Sequence, residues 1–577
     1  MSETITLTLD GRSVSLPAGM TILDAARRAG IDIPTLCHHP DLSVRANCRL
    51  CVVEVEGRRT LVASCDTEAA DGMVVRTNTP LVRKARQDNL GLILSDHPME
   101  CPTCVRNQTC ELQELTYRVG ATSFAPAERE VPWPLDSSGP SIVRDPNKCV
   151  LCRRCVEVCH EIQTVGAIGP ARRGFETVIG PSHGYSLAQS SCVNCGQCIN
   201  RCPVGALYEQ DDTAKVWAAL ADPEKVVVAQ IAPATRVSIG EELGFPVGTN
   251  LESKLPAALR SLGFHAVFDA VFTADLTIME EGSELVERLT QGGKLPMMTS
   301  CCPGWVSFAE TFYPEFLDRL SSCKSPQQML GALAKTFYAQ EAGIDPARMV
   351  VVSLMPCTAK KAEAQRPEMR SGGHRDVDVV LTTRELGRML RQAGLRLDQL
   401  PDEPFDDPLG LGTGAGVIFG ATGGVMEAAL RTAHRLVTGR ELDAIDVQPV
   451  RGLEGVRTAT VDLDGTPVKV AVAHGLGQAR ALMEQIQAGT ADYHFIEVMA
   501  CPGGCVGGGG QPICAGQADY ARRAAAIYAQ DQGMERRRSH ENPAVLELYS
   551  RFLAYPLGER SHQLLHTHYQ PRVVATV

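Results

Sequence analysis

The sequence has 577 residues, more than one core of ordinary size organises, which implies about three or four domains and excludes a peptide hormone or a lone binding module. Hydrophobic residues make up 44% and charged residues 21%, yet no apolar run approaches the roughly 20 residues a membrane span needs, so the chain reads as soluble. The 56 basic and 67 acidic residues leave a net charge of -11, which disfavours broad nucleic-acid or anionic-membrane contact and suits a soluble enzyme or a basic electron-transfer partner. Met1 to Asp10 lacks the charged-then-apolar order of a secretory signal, and the expected location is the cytoplasm. In that reducing compartment the 22 cysteines are not expected to form disulfides, and their grouping into C-x-x-C clusters points to metal or cluster ligation.

Four domains are expected in chain order: 1–80, 81–125, 126–208 and 209–577. The first opens on an alternating hairpin with Asp10-Gly11 at its turn, then a helix ending on Gly30. Cys37, Cys48, Cys51 and Cys65 follow, and four thiolates suffice for a 2Fe-2S cluster, although they also satisfy a tetrahedral zinc ion. The hairpin-helix lead-in resembles plant-type ferredoxins, with a longer gap between the first two cysteines, as in ferredoxin domains built into large oxidoreductases.

The second domain carries His97, Cys101, Cys104 and Cys110 within one short stretch, enough for one compact centre. The run D-H-P-M-E-C-P-T-C resembles the histidine-plus-three-cysteine 4Fe-4S module of hydrogenases and of the large iron-sulfur subunit of respiratory NADH dehydrogenase. An imidazole in place of a thiolate removes one negative charge and should raise the potential. In the third domain Cys149, Cys152, Cys155 and Cys159, then Cys192, Cys195, Cys198 and Cys202 before Pro203, form the signature of two-cluster bacterial ferredoxins, in which the fourth cysteine of each run serves the other cluster. This assigns Cys149, Cys152, Cys155 and Cys202 to one 4Fe-4S cluster and Cys192, Cys195, Cys198 and Cys159 to its neighbour. His160 stands where the first run commonly has proline, a turn-shaping position and not a ligand. Four clusters imply a chain of one-electron carriers that ends at a catalyst.

Beyond Tyr208, short apolar runs alternate with helical stretches and glycine-rich turns, an α/β pattern. Cys301 and Cys302 sit in T-S-C-C-P-G-W, Cys357 in V-V-S-L-M-P-C-T-A-K-K-A-E, and Cys501 and Cys505 in F-I-E-V-M-A-C-P-G-G-C-V-G-G-G-G-Q-P. In the last two an apolar strand runs directly into the cysteine loop, so the thiols should meet at strand ends. The expected fold is therefore multidomain α+β and α/β, ending in a large two-lobed α/β catalytic domain.

These three segments resemble the signature motifs of FeFe hydrogenases. The likeness extends over essentially the whole chain, including the upstream stretch F-T-A-D-L-T-I-M-E-E-G-S-E-L. It implies an H-cluster: a 4Fe-4S cubane held by Cys302, Cys357, Cys501 and Cys505, with Cys505 bridging to a diiron centre that bears carbonyl, cyanide and azadithiolate. Cys301 matches the cysteine that passes protons to the bridging amine, followed by Glu281, Ser321 and Glu284, with Arg288 near the outer end. A buried centre needs such a chain to exchange protons, and burial should raise the carboxyl pKa values. Lys360 matches the lysine beside a cyanide, and Pro233, Ala234, Gln327, Met355, Phe419 and Met499 match the pocket around the diiron centre, though for the methionines a plain core role weighs as much. Gly503 and Gly504 should turn the chain closely around the cubane, and Gly507 to Gly510 should bring backbone amides near it. Cys323, where many relatives have alanine, is expected to be a small buried hydrophobe, the other reading being an effect on oxygen or sulfide sensitivity. Cys514 carries no role from the resemblance.

The implied function is reversible conversion of hydrogen into two protons and two electrons in anaerobic metabolism. The implied partners are ferredoxin or NAD(P)-linked iron-sulfur and flavin subunits, together with maturation enzymes that supply the diiron cofactor. The tail from S-H-E-N to L-L-H-T-H-Y leans towards a complex. The alternative is a hydrogen sensor or a non-catalytic iron-sulfur electron-transfer subunit. Respiratory subunits that share the first modules lack the three cysteine loops, and sensory or assembly relatives lose relay residues or accessory clusters that are intact here.

Overall fold

A computed structural model describes residues 4–121, 132–442, 445–463, 465–514 and 516–574. The expected boundary between the second and third domains, near 125, lies outside the described residues. Among the described residues no helix is long and apolar enough to cross a membrane.

The opening alternation becomes β1 (Thr4–Leu9) and β2 (Arg12–Pro17), paired antiparallel with Leu9 opposite Arg12. Asp10 and Gly11 both have positive φ, 47° and 80°, as a two-residue turn matched to strand twist requires. Ile5, Leu7 and Leu9 point into the core while the intervening threonines face outward. The helix Ile22–Arg28 starts on a capping box between Thr21 and Asp24. With β3 (Val52–Val55), β4 (Val62–Ala63) and β5 (Val74–Arg76) this makes a five-stranded sheet ordered β2-β1-β5-β3-β4.

Helices Pro80–Ser95 and Glu111–Val119 flank the stretch from His97 to Cys110. The region that follows is mostly loop, fastened by β6 (Ile142–Arg144), β7 (Gly169–Ala171), β8 (Val178–Gly180) and β9 (Leu207–Glu209), with β6 paired to β9 and β7 to β8. His160 sits in the turn after the first cysteine run, where its Nε2 lies 3.0 Å from the carbonyl of Ile168.

Two four-stranded sheets and the small hairpin of β14 (Arg370–Ser371) and β15 (His374–Arg375) organise the rest. β10 (Val226–Ile231), β11 (Ala266–Asp269), β13 (Met349–Met355) and β16 (Val379–Thr382) form a wholly parallel sheet in the order β11-β10-β13-β16. β12 (Met297–Met298), β17 (Arg457–Leu463), β18 (Thr466–His474) and β19 (Phe495–Met499) form the other, ordered β12-β19-β18-β17, with only the β17–β18 pair antiparallel. Parallel strands buried on both faces read as unbroken apolar runs, which is why V-V-V-A-Q-I and M-V-V-V-S-L were legible. The long helix Ala270–Gln291 lies buried along most of its length. Its Asp275 carboxylate accepts from Thr413, Ser539 and Asn542, which ties the S-H-E-N segment of the tail to this helix.

Candidate active site

The carboxyl ends of β10, β13, β12 and β19 converge, and at each the chain leaves the sheet through a short loop. Parallel strands leave their ends open in this way, with room for a ligand between the loops. They surround a cavity lined by Cys301, Cys302, Cys357, Cys501 and Cys505. Lys360 and all six expected pocket residues, Pro233, Ala234, Gln327, Met355, Phe419 and Met499, line it too. No disulfide links the 22 cysteines. Five thiols and one buried lysine around an otherwise apolar space suit a metal cluster with anionic ligands better than an organic substrate.

The expected relay residues follow one another from this cavity outward. Cys301 lies in the cavity wall, and burial, then the charge of Glu281, raises its thiol pKa well above the ordinary value. Glu281 is 1% exposed, and neither carboxylate oxygen has a hydrogen-bond partner. Burial, then the Glu284 charge, pushes its carboxyl up to about 8, with Ser321 near enough to pull in the opposite direction. The Ser321 hydroxyl donates to Glu284 Oε2 at 2.8 Å. Arg288 donates to Glu284 Oε1 at 2.6 Å and to the carbonyls of Leu320 and Arg319, so it covers the outer, partly exposed end. Three of these residues come from one helix, where positions 281, 284 and 288 share a face.

Lys360 stands on the helix Ala359–Ala364, with Nζ 3.1 Å from the Cys301 carbonyl and 3.0 Å from Glu363 Oε2. Burial alone would lower its pKa, but Glu363 and Cys357 more than offset that, so the ammonium stays charged. Glu363 also accepts from Ser325 and Gln327, which fixes the Gln327 amide at the cavity wall. The sequence reading missed Glu363; its signal was the opposite charge three positions along the same helix face.

Cys323 is fully buried, its thiol kept protonated by burial and by Glu284, Glu281 and Glu280, as expected of a small hydrophobe. Cys514 is half-buried near Arg523 and Asp519.

Other expected ligands gather as well. Cys149, Cys152, Cys155 and Cys202 line one small cavity, and Cys159, Cys192, Cys195 and Cys198 line a second. Cys37, Cys48, Cys51 and Cys65 interact through their thiols, with Cys51 and Cys65 at 3.3 Å. His97 keeps a buried Nδ1 with no hydrogen-bond partner, while Cys101, Cys104 and Cys110 lie in the adjoining turn and helix start. That orphaned nitrogen suits a metal-binding imidazole.

Five families match in the order of the domains. They are the 2Fe-2S iron-sulfur cluster binding domain at 2–80 and the NADH-ubiquinone oxidoreductase-G iron-sulfur binding region at 86–123. The NADH-quinone oxidoreductase subunit 3 ferredoxin-like domain follows at 139–208, then the C-terminal domain of the iron only hydrogenase large subunit at 225–509 and the iron hydrogenase small subunit at 517–572. The NADP-reducing hydrogenase subunit HndD of Solidesulfovibrio fructosivorans is 51% identical over 98% of this chain and 99% of its own. The chain belongs to the iron-only, or FeFe, hydrogenase family. Iron hydrogenase 1 of Clostridium pasteurianum is 41% identical over 98% of this chain and 100% of its own. The structure of an apo [FeFe]-hydrogenase from Chlamydomonas reinhardtii superposes with a TM-score of 0.57 at 45% identity, over 63% of this chain and 99% of its own.

In this hydrogenase the ferredoxin-like domain is docked directly onto the catalytic loops. Gln163 donates to the Ala500 carbonyl at 2.9 Å, Gln197 to Gly507 at 2.8 Å and Asn200 to Gly508 at 3.0 Å. Gly504 and Gly508 line the cavity, and the glycines of this loop also allow close packing: a Cβ on Gly509 would fall 2.2 Å from the Cys195 carbonyl oxygen, and on Gly504, at φ 84°, 2.6 Å from the Thr422 amide. Because backbone meets backbone at Gly509, Gly509→Ala is expected to cost about 1–3 kcal/mol. It should lower the unfolding midpoint and slow dye-driven electron delivery at unchanged iron content; wild-type behaviour in both would refute the close docking.

Proposed function

We propose that this hydrogenase interconverts hydrogen with two protons and two electrons at an H-cluster that Cys302, Cys357, Cys501 and Cys505 would hold. The observation that carries the proposal is the convergence of these thiols, Cys301 and Lys360 on one apolar cavity at the strand ends. When bound, the diiron unit supplies the redox chemistry that splits or forms hydrogen. The chain supplies the rest. Lys360, held charged by Glu363, offers a fixed cation to a bound anion. Pro233, Ala234, Met355, Phe419 and Met499 exclude water, and Gln327 is oriented by Glu363. Cys301, Glu281, Ser321 and Glu284 carry protons between the cavity and the Arg288 end.

Electrons would run through one 2Fe-2S and three 4Fe-4S accessory clusters held by the residues grouped above. A cluster held by Cys159, Cys192, Cys195 and Cys198 would lie next to the catalytic site, because Gly509 and Gly304 of the cavity loops pack closely against Cys195. Similarity to an NADP-reducing hydrogenase subunit favours NAD(P)-linked partner subunits over free ferredoxin as the external carrier, and a cytoplasmic setting fits them. The test is hydrogen-dependent reduction by the cofactor-loaded chain, offered a viologen dye, ferredoxin and NADP+ in turn. Dye reduction, with NADP+ reduced only after flavin-bearing subunits are added, supports the proposal. A chain with full iron that reduces no acceptor would overturn the catalytic reading and leave a hydrogen-sensing one.

A further inference from the structure

The residue beside Glu281 on the same helix, Glu280, is fully buried and has its own network. It accepts from the Tyr549 hydroxyl at 2.6 Å and the Leu557 amide at 2.7 Å, and lies 3.2 Å from His566 Nε2. On the other side of the ring, His566 Nδ1 lies 2.8 Å from the Ser322 hydroxyl. Glu280 Oε2, which already accepts from the Leu557 amide, faces Nε2, and the neutral tautomer that presents Nε2–H to it leaves Nδ1 to accept the Ser322 proton.

The backbone around His566 also forms a clamp. Cys323 pairs with His566 as an antiparallel bridge, the Lys324 amide donates to the Leu565 carbonyl at 2.7 Å, and the Thr567 amide donates to the Ser322 carbonyl at 2.7 Å. The carboxyl-terminal segment is thus zipped to the very stretch that carries Ser321. Glu284, meanwhile, receives the Ser321 hydroxyl at 2.8 Å and the Ser322 amide at 3.1 Å and 3.3 Å. Ser322 thus meets the same carboxylate through its backbone amide while its hydroxyl is turned to His566, so that a freed Ser322 hydroxyl would be a competing donor beside Ser321.

We infer that His566, oriented by Glu280, is a positioning residue for the proton route: it occupies the Ser322 hydroxyl and so keeps Ser321 as the hydroxyl donor to Glu284. The inference rests on the route proposed above. It gives the tail a part in proton transfer although no tail residue lies in the route.

The decisive experiment is a double-mutant cycle in the cofactor-loaded chain, read as hydrogen evolution from reduced viologen in H2O and D2O, with iron content alongside. His566→Leu removes both ring contacts and frees Ser322, and should slow evolution about tenfold while raising the solvent isotope effect. Adding Ser322→Ala removes the competing hydroxyl and should restore most of the rate. His566→Gln, whose amide can donate to Glu280 and accept from Ser322, should stay near wild type. Before cofactor loading, His566→Leu should also speed amide exchange across residues 321–324. A merely structural histidine predicts additive losses in the double variant and an unchanged isotope effect, and either result would overturn the inference. An inactive wild-type chain would instead overturn the proposed function, and the route with it.

Discussion

Cys301→Ala is expected to lower hydrogen evolution at least about 100-fold, with the iron content and cluster spectra of the wild type. Once four thiols of the cavity are given to a cluster, the protic groups left in its described wall are Cys301, Gln327 and Lys360. Gln327 and Lys360 are both bound to Glu363. Cys301 is close enough to Glu281 for that carboxylate to raise its thiol pKa. Removing that sulfur leaves a gap between the cavity and the first carboxyl, and proton transfer falls off steeply once donor and acceptor lose hydrogen-bond reach. Activity within about twofold of wild type would place the proton route elsewhere.

Glu281→Gln is expected to be comparably severe, again with iron retained, because the amide keeps the shape of the carboxyl but cannot change its protonation state. The same variant carries a stability signature. With its carboxyl pKa raised to about 8 in the fold, Glu281 binds its proton more tightly folded than unfolded. The stabilisation is fully present below the ordinary glutamate pKa of about 4.3 and is lost as pH rises towards 8. Wild-type stability should therefore decline across that window more than the stability of Glu281→Gln, and the difference should level off above it. Parallel pH-stability curves for the two chains would show that Glu281 is not held protonated by burial.

Local rules made much of the architecture legible. The Asp10-Gly11 hairpin follows from turn chemistry, and the strands that run into Cys357 and Cys501 follow from largely apolar runs that end at the ligand loops. The grouping of Cys202 with the first ferredoxin run and of Cys159 with the second, which line two separate cavities, was implied by the likeness to two-cluster ferredoxins. What stayed hidden depends on pairings between distant segments. The bond from Gln163 to Ala500 spans 337 positions, and the one from Ser322 to His566 spans 244, with no periodicity to announce either. The crowding at Gly509 was hidden for the same reason, since glycine in a ligand loop suggests approach to a cluster and not to the backbone of another domain. Glu363 was within reach, but a charged pair on a short helix ordinarily means a solvated face, and only burial shows that this one orders the cavity wall.

The central claim is that this chain, given the diiron cofactor, makes hydrogen at the cavity where the strand ends meet. The most direct measurement follows hydrogen evolution from reduced viologen by the anaerobically purified chain before and after loading with that cofactor, alongside total iron. The account predicts negligible evolution before loading and rapid evolution after it, with iron reaching about 20 atoms per chain. Full iron with no hydrogen evolved would contradict it.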